Sequence, residues 1–367
     1  MHRVTALASA LICLFAAGCP AAPTSDVLAS TQSFASVVAR LSEPPGSFDT
    51  DNLISNERSY LQVMPALDAA RLRGGAYVGV GPDQNFTYIA QLRPSIAIIV
   101  DIRRDNLLLH LLFKALFEQA PTRVEYLSLL FGRAPPPQPA AWRAAPIERL
   151  VAYVDRAATV PAAEAARRRD RIAAALARFG VPLADGERDT IHRFHRSFVD
   201  GGLDLRFESY GRRPRSYYPT YRDLLLETDS GGRHRNFLAS EDDYQFVRSL
   251  ERRDLIIPVV GNLGGSRALA AIGRLLADRH ESLSAFYTSN VEFYLFGSAS
   301  FPRYVSNLRR LPHTPRSLII RSVFGGYGFA LAPPGSYSAS LTEPIDDLID
   351  RFDRGAIRTY GELIRDR

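Results

Sequence analysis

Two short runs of mainly apolar residues lie between positions 76 and 102. Each run is followed by a segment whose apolar residues have helical spacing. Residues 76–81 (AYVGVG) come before a helical segment that begins at Pro82. Residues 95–102 (SIAIIVDI) come before the strongly apolar segment at 106–119 (NLLLHLLFKALFEQ). Strands that are apolar throughout are typical of a parallel sheet covered on both faces. The pattern therefore predicts alternating strands and helices, with a third strand in residues 123–132 (RVEYLSLLFG).

This alternation stops at a proline-rich boundary, RAPPPQPAAW, and resumes at residue 254 after a long stretch that is mainly helical in pattern. The apolar segment DLIIPVVGNLGG predicts a strand, and a further strand is expected within residues 283–296. RSLIIRSVF and GFALA predict a final antiparallel pair around Gly325 and Gly326. We therefore expect an α/β protein with a Rossmann-like, mostly parallel sheet.

The predicted organisation divides this sheet domain into two parts. Residues 48–132 and 254–367 are expected to form the sheet with its covering helices. Residues 133–253 are expected to be a mainly helical insertion, which includes an Arg/Tyr-rich loop.

The N-terminus has the pattern of an exported protein. A short basic start is followed by an apolar run from Val4 to Phe15 and by small residues before Cys19, which is typical of a signal peptide at residues 1–18. The ending AAGC resembles a bacterial lipobox, which implies cleavage before Cys19, lipidation of that cysteine and a tether at 19–47. This predicts a lipid-anchored protein of the cell envelope. There are two alternatives. The segment is an ordinary cleaved signal peptide, or the start codon is misassigned and the protein is cytoplasmic.

Composition adds little about partners. Hydrophobic residues make up 46% of the chain and charged residues 23%, which is normal for a soluble globular protein. The net charge is +6 and nearly all of the positive charge is arginine, with Lys114 the single lysine. Because this charge is spread along the chain, nucleic acid is not favoured as a partner. For the Arg/Tyr-rich residues 206–223, a lid over a ligand cleft is favoured over nucleic-acid binding, and a protein partner stays open.

The turn after the first predicted strand is the main candidate for chemistry. Gly79 and Gly81 allow the backbone to approach a ligand at a helix N-terminus. Gln84 stands where a dinucleotide fingerprint has its third glycine, and Pro82 removes an N–H donor, so a pyrophosphate cradle is disfavoured. Asp101 ends the second strand twenty residues after Gly81, where such folds hydrogen-bond a ribose. A nucleoside without phosphate at the turn fits best, and a tight turn in an inert α/β domain is the alternative.

Several segments carry a resemblance to a known family. FDTDNLISNE, GGAYVGVGPDQNF, IAIIVDIRRDN and LLFGR resemble an uncharacterised bacterial family with a class I S-adenosylmethionine (SAM)-dependent methyltransferase-like fold. The resemblance covers most of residues 45–133 and 220–300. It implies a methyltransferase-type sheet and SAM, or a related nucleoside, as the ligand.

The resemblance also implies roles for individual residues. Gly79 and Gly81 would lie beneath the methionine part of SAM, with Gln84 and Asn85 close by, and Asp101 would hold the ribose hydroxyls. Asn262 is a candidate catalytic residue, because it follows the strand after which methyltransferases place active-site residues. Tyr287 is the second candidate on a different ground, because it lies near the end of a predicted strand, where open sheets place ligands; an ordinary strand-end turn is the alternative.

The motif also departs from the family pattern at three places. Tyr77 replaces the usual acidic residue, Asp83 replaces the usual third glycine, and no Asn-Pro-Pro-Tyr sequence follows the fourth strand. We expect Asp83 to substitute for the missing carboxylate.

Two hypotheses follow from these residues. The first is a SAM-binding methyltransferase-like protein, which transfers a methyl group if it is catalytic. The second is a non-catalytic, lipid-anchored binding or structural protein that retains the fold, since SAM is a cytosolic metabolite. A nicotinamide-dependent oxidoreductase is disfavoured by the incomplete fingerprint. His192 and His195 are expected to pack or cap a helix instead of binding a metal, and no metal site is predicted.

Overall fold

A computed structural model of the chain describes residues 32–50, 52–210, 215, 217–327, 332 and 336–365. The predicted signal peptide, Cys19 and residues 328–331 of GFALA lie outside the described residues. From Phe34 onward the chain forms one compact unit. Within the described residues, no helix is both long enough and apolar enough to cross a membrane.

Six strands form a single sheet. They are β1 (Ala76–Gly79), β2 (Ile96–Asp101), β3 (Ile256–Val260), β4 (Leu283–Ser289), β5 (His313–Phe324) and β6 (Ser338–Pro344). Their order across the sheet is β3-β2-β1-β4-β5-β6. Every neighbouring pair is parallel except β5 and β6, which are antiparallel. The architecture is therefore α/β with a mostly parallel sheet, which is compatible with the Rossmann-like prediction.

The strand register brings the candidate residues to one edge of the sheet. Gly79 of β1 lies opposite Ile99 of β2 and Tyr287 of β4, while Asp101 lies opposite Val260 of β3. Strands β1 and β2 are almost completely buried, as expected for a sheet covered on both faces. The strand order reverses direction between β1 and β4, and open α/β sheets place their ligands at the carboxyl ends of strands beside such a point.

Fifteen α-helices surround the sheet. They are α1 (Phe34–Leu41), α2 (Met64–Ala70), α3 (Gln84–Leu92), α4 (Arg104–Gln119), α5 (Arg123–Leu130), α6 (Ile147–Arg156), α7 (Ala162–Phe179), α8 (Glu187–Gly201), α9 (Tyr221–Leu226), α10 (Glu241–Arg252), α11 (Ala268–Asp278), α12 (Val291–Gly297), α13 (Phe301–Leu308), α14 (Ile345–Asp353) and α15 (Tyr360–Ile364), all within the described part of the chain. Short 3₁₀ helices include one at Arg58–Val63. Helices α6 to α10 fall in the range predicted as an insertion, whose boundaries stay a prediction.

One predicted strand is wrong. The third strand expected in RVEYLSLLFG is helix α5, whose N-terminus is capped by the Thr122 side chain, which accepts a hydrogen bond from the backbone N–H of Glu125. A Thr cap followed by an acidic residue three positions later overrides a short apolar run. The strand antiparallel to β5 is β6, which has the sequence SASLTEP. Its inward-facing serines bond to other hydroxyls, for example Ser338 Oγ to Ser59 Oγ at 2.7 Å.

The range predicted as a tether contains helix α1. Phe34, Val38 and Leu41 form the buried face of α1, which packs against β3 and α11. The compact unit begins at Phe34. A helix with apolar residues along one face is stabilised when that face is buried against another element.

Candidate functional site

A cavity of about 860 Å³ opens at the carboxyl ends of the parallel strands. This volume lies in the upper part of the range for small-molecule sites, roughly 300–1,000 Å³. Residues that end or directly follow five strands line it, namely Val80, Gly81, Pro82, Val100, Asp101, Ile102, Gly261, Asn262, Tyr287, Ser289, Phe324 and Gly325. The cavity thus occupies the position where an open α/β sheet binds its ligands.

The glycine turn is fixed by two side chains beneath it. Asn85 Nδ2 donates to the carbonyls of Val80 at 2.9 Å and Pro82 at 2.8 Å. His110 Nε2 lies 2.9 Å from the Gly81 carbonyl, and burial lowers the pKa of His110 to about 4, so the ring donates as a neutral imidazole. Gly81 has φ +84°, a backbone conformation that favours glycine. The turn is therefore rigid, with Gly81 in the cavity wall.

Gly79 and Asn85 support this turn instead of facing the cavity, since neither is among the lining residues. A Cβ at Gly79 would lie 1.9 Å from Asn85 Oδ1. That oxygen accepts a hydrogen bond from Tyr77 Oη at 2.8 Å. Tyr77, which occupies the usual acidic position, thus orients the amide that holds the turn.

Asp83 and Gln84 face a second, much smaller cavity of about 20 Å³ on the other side of the turn. Tyr221 Oη donates to Asp83 Oδ2 at 2.5 Å. Burial raises the pKa of Asp83 to about 6. Asp83 does not line the large cavity, so it is not placed to substitute there for the acidic residue that the motif lacks.

Asp101 does line the large cavity, beside Arg103. Arg103 Nε donates to Asp101 Oδ1 at 3.0 Å, and Arg103 Nη2 donates to Asp101 Oδ2 at 2.8 Å. Arg103 Nη1 also donates to the Thr50 carbonyl at 3.3 Å. The carboxylate is thus held in a fixed orientation at the end of β2.

Tyr287, on β4, lines the cavity with its hydroxyl turned toward a carboxylate that the sequence analysis did not single out. Tyr287 Oη donates to Glu57 Oε2 at 2.5 Å, and Gln84 Nε2 donates to Tyr287 Oη at 3.0 Å. Burial, followed by the charge of Glu57, holds the pKa of Tyr287 well above its usual range. The phenol therefore stays protonated and serves as a hydrogen-bond donor. Glu57 lies in the segment FDTDNLISNE, where no local pattern marks it as a site residue.

Asn262 lines the cavity after β3, and its loop is braced by Glu43. The backbone N–H of Asn262 donates to Glu43 Oε1 at 2.6 Å, and Asn262 Oδ1 accepts from the Gly264 N–H at 2.9 Å. Asn262 is therefore held in place at the wall with its side-chain oxygen already bonded.

Aromatic side chains form much of the remaining wall. They come from the segment before Glu57, from α12, from α15 and from the described part of the Arg/Tyr-rich loop, and include Phe48, Phe207, Tyr217, Tyr218, Phe293, Tyr294, Phe296 and Tyr360. Phe48 and Tyr294 meet edge to face with ring centroids 4.8 Å apart, although both stay partly exposed. The outer part of the cavity is therefore apolar, and its sheet end is polar.

The two histidines of α8 differ in burial, since His192 is half-buried and His195 is buried. His195 is buried and its Nε2 lies 2.9 Å from the Leu129 carbonyl. Burial lowers the pKa values of both His192 and His195. In the part of the chain that the structure describes, no group of three or more His, Cys, Asp and Glu side chains is arranged to hold a metal ion.

Comparison with known proteins places the chain in a family. A search of curated proteins gave no match. A family model matches residues 52–134 and 202–358, which is more than half of the 367 residues. The matched ranges contain strands β1 to β6 and the cavity residues Glu57, Asp101, Asn262 and Tyr287. The chain belongs to the family described as Domain of unknown function (DUF7790).

Proposed function

We propose that this is a SAM-dependent methyltransferase-like protein whose large cavity binds SAM or a related nucleoside. The observation that carries the proposal is the position of the cavity at the carboxyl ends of β1 and β4, with Asp101 in its wall. An acidic residue at the end of the second strand is the group that such sheets use to hold ribose hydroxyls.

The spacing of the polar groups supports a nucleoside-sized ligand. β1 lies between β2, which carries Asp101, and β4, which carries Tyr287. Neighbouring strands are about 4.8 Å apart, so the two strand ends stand about 10 Å apart across β1. A ligand that reaches from one to the other passes over Gly81, where the absence of a side chain leaves room.

The same turn disfavours a dinucleotide. The backbone N–H of Val80 already donates to the Tyr287 carbonyl at 3.1 Å, and Pro82 has no N–H. Few donors are left for a pyrophosphate, which needs several N–H groups at a helix N-terminus. This observation favours SAM over a nicotinamide cofactor.

Bound SAM would supply an electrophilic methyl group. The protein's own contribution would be orientation, because correct placement of two reactants alone provides a large part of the rate. Asp101 would hold the ribose, and the Gly81 turn would determine how deeply the ligand enters the cavity. Asn262 would lie beside the acceptor, and Tyr287 would act as a donor and not as a base.

Calorimetry tests this proposal directly. Titration of the purified protein with SAM and with S-adenosylhomocysteine should release or absorb heat. The binding should saturate at one ligand per protein molecule. Absence of heat with both ligands at millimolar concentration would reject the proposal.

The alternative, a non-catalytic lipid-anchored binding protein, rests on the N-terminal sequence MHRVTALASALICLFAAGC. Mass spectrometry of the protein from its native membrane should then show a diacylglyceryl group on an N-terminal Cys19. An unprocessed Met1 would remove the argument from compartment and leave the SAM-dependent function as the stronger of the two.

A further inference from the structure

Glu57 is a buried carboxylate in the polar end of the large cavity. Its residue is only 1% exposed, yet it is among the residues that line the cavity. The chain presents it just before the 3₁₀ helix at Arg58–Val63, and its backbone N–H donates to Ser55 Oγ at 3.0 Å. Glu57 therefore faces the same space as Asp101, from the β4 side of the sheet.

The contacts of Glu57 are all with neutral donors. Its Oε2 accepts hydrogen bonds from Tyr287 Oη at 2.5 Å, from Gln84 Nε2 at 3.1 Å and from Ser322 Oγ. Its Oε1 accepts a hydrogen bond from Ser289 Oγ. Each carboxylate oxygen has two lone pairs, so Oε1 keeps acceptor capacity for a further donor.

Three other acidic side chains near the sheet are paired with an arginine, whereas buried Asp83 bonds to the Tyr221 hydroxyl. Glu292 and Glu343 both bond to Arg321, at 2.6 and 2.5 Å. Asp101 bonds to Arg103. In the described residues no arginine, lysine or histidine lies within ion-pair distance of Glu57, so this carboxylate has hydrogen bonds but no counter-charge.

A carboxylate in this position favours a cationic ligand. A charge removed from water is costly unless it is paired and hydrogen-bonded, and Glu57 is almost completely buried. We propose that Glu57 is the residue that binds the ammonium group of the ligand. This inference rests on the proposed function, in which the ligand is SAM or a related nucleoside, and it assigns to Glu57 the role expected from sequence for Asp83.

A pair of ligands that differ only in the ammonium group tests the inference. The first is S-adenosylhomocysteine, and the second is its analogue with a hydroxyl in place of the amino group. The wild-type protein should bind the amino compound about 30-fold more tightly or better, which is the loss expected when one partner of a buried charged pair is removed. Glu57→Gln should weaken binding of the amino compound by a similar factor and change the affinity for the hydroxyl compound less than twofold.

Glu227→Gln is the matched control, because Glu227 is bonded to Arg58 and does not line the cavity. It should leave both affinities unchanged. Equal affinity of the wild type for the two ligands would overturn the role of Glu57 even if the Gln variant does not fold. An equal loss of affinity for both ligands in Glu57→Gln would also overturn it. If the wild type binds neither ligand nor SAM, the proposed function itself fails and this inference falls with it.

Discussion

Arg103 holds Asp101 by two parallel hydrogen bonds in the cavity wall, from Nε to Oδ1 at 3.0 Å and from Nη2 to Oδ2 at 2.8 Å. The Arg103 backbone N–H also donates to Asp101 Oδ1 at 2.9 Å. Oδ1 therefore has both lone pairs engaged, whereas Oδ2 has one left. A ribose hydroxyl would bond to Oδ2 without breaking the pair, and the arginine would act by keeping that oxygen aimed at the cavity.

Asp101→Ala should weaken binding of S-adenosylhomocysteine about tenfold or more. Hydrogen bonds to a charged group contribute about 1.5–3 kcal/mol, and this substitution removes such an acceptor. Calorimetry measures the affinity. A thermal melt shows whether weaker binding is instead due to a less stable protein, in which Arg103 has lost its partner. Asp105→Asn, on the first turn of α4 and outside the cavity wall, is the control. Unchanged affinity in Asp101→Ala would mean that the ribose does not reach this carboxylate.

Gly79 is required by its neighbour Asn85 and not by a ligand. A Cβ at this position would lie 1.9 Å from Asn85 Oδ1 and 2.6 Å from Tyr77 Oη. Gly79→Ala must displace the amide that binds the turn carbonyls. We expect a loss of about 3 kcal/mol in the free energy of unfolding, typical of overpacking a tight core, measured by urea denaturation.

Gly297→Ala provides the comparison for this measurement. Gly297 ends α12, and a Cβ there would meet nothing within 4 Å. Alanine is a better helix former than glycine, by up to about 1 kcal/mol, so stability should stay the same or rise. A Gly79→Ala protein as stable as the wild type would show that Asn85 can move without loss.

Asp83 should make stability depend on pH in the direction opposite to most carboxylates. Burial raises its pKa in the folded protein to about 6, whereas an unfolded Asp titrates near about 3.9. The folded state therefore favours the protonated form. The stabilising contribution is complete below pH about 4 and is lost as the pH rises through about 6.

Asp83→Asn isolates this contribution, because the variant stays neutral at every pH. Its free energy of unfolding relative to wild type should rise by about 2–3 kcal/mol between pH 4 and pH 7, measured by urea denaturation at each pH. In a Tyr221→Phe background the effect of Asp83→Asn should become larger and extend to higher pH, since loss of the Tyr221 hydrogen bond raises the pKa of Asp83 in the folded protein. A difference that is constant with pH would contradict the titration of Asp83.

Local patterns predicted the parts of the site that follow from strand position. Strands β1 and β2 are continuous apolar runs, and parallel strands end at one edge, so Gly81 and Asp101 could be placed together from sequence. The directions of the side chains in the turn between β1 and α3 could not be predicted from the sequence. Helix α3 begins at Gln84, and its first residues point beneath the turn, which turns Asp83 and Asn85 away from the cavity.

Glu57 could not be predicted because nothing near it in the sequence marks its environment. Its donors come from α3, β4 and β5, up to 265 residues away. Helix α5 was missed for a related reason. A short apolar run fits a buried strand and a buried helix equally well, and the decision in favour of helix comes from the Thr122 cap.

Lys114 is a buried cation that joins α4 to α1 and to the end of α10. Its Nζ lies 2.7 Å from Asp254 Oδ1, 3.6 Å from Glu251 Oε2 and 4.7 Å from the centre of the Phe34 ring. The side chains of Lys114 and Glu251 are 3% and 2% exposed. Removing the lysine would leave Glu251 buried without its closest cation.

Lys114→Met should lower the free energy of unfolding by about 3–5 kcal/mol at pH 8, the cost of breaking a buried ion pair from one side. Adding Glu251→Gln should recover most of this loss, since the remaining charge is then gone. Burial raises the pKa of Glu251 to about 7, so the single variant should lose less at pH 5.5, where that carboxyl is protonated. Arg178→Met, which removes an exposed cation of α7, should change stability by less than about 0.5 kcal/mol. If the double variant is as unstable as Lys114→Met, the lysine stabilises the fold through its contacts with Asp254 and Phe34 and not through Glu251.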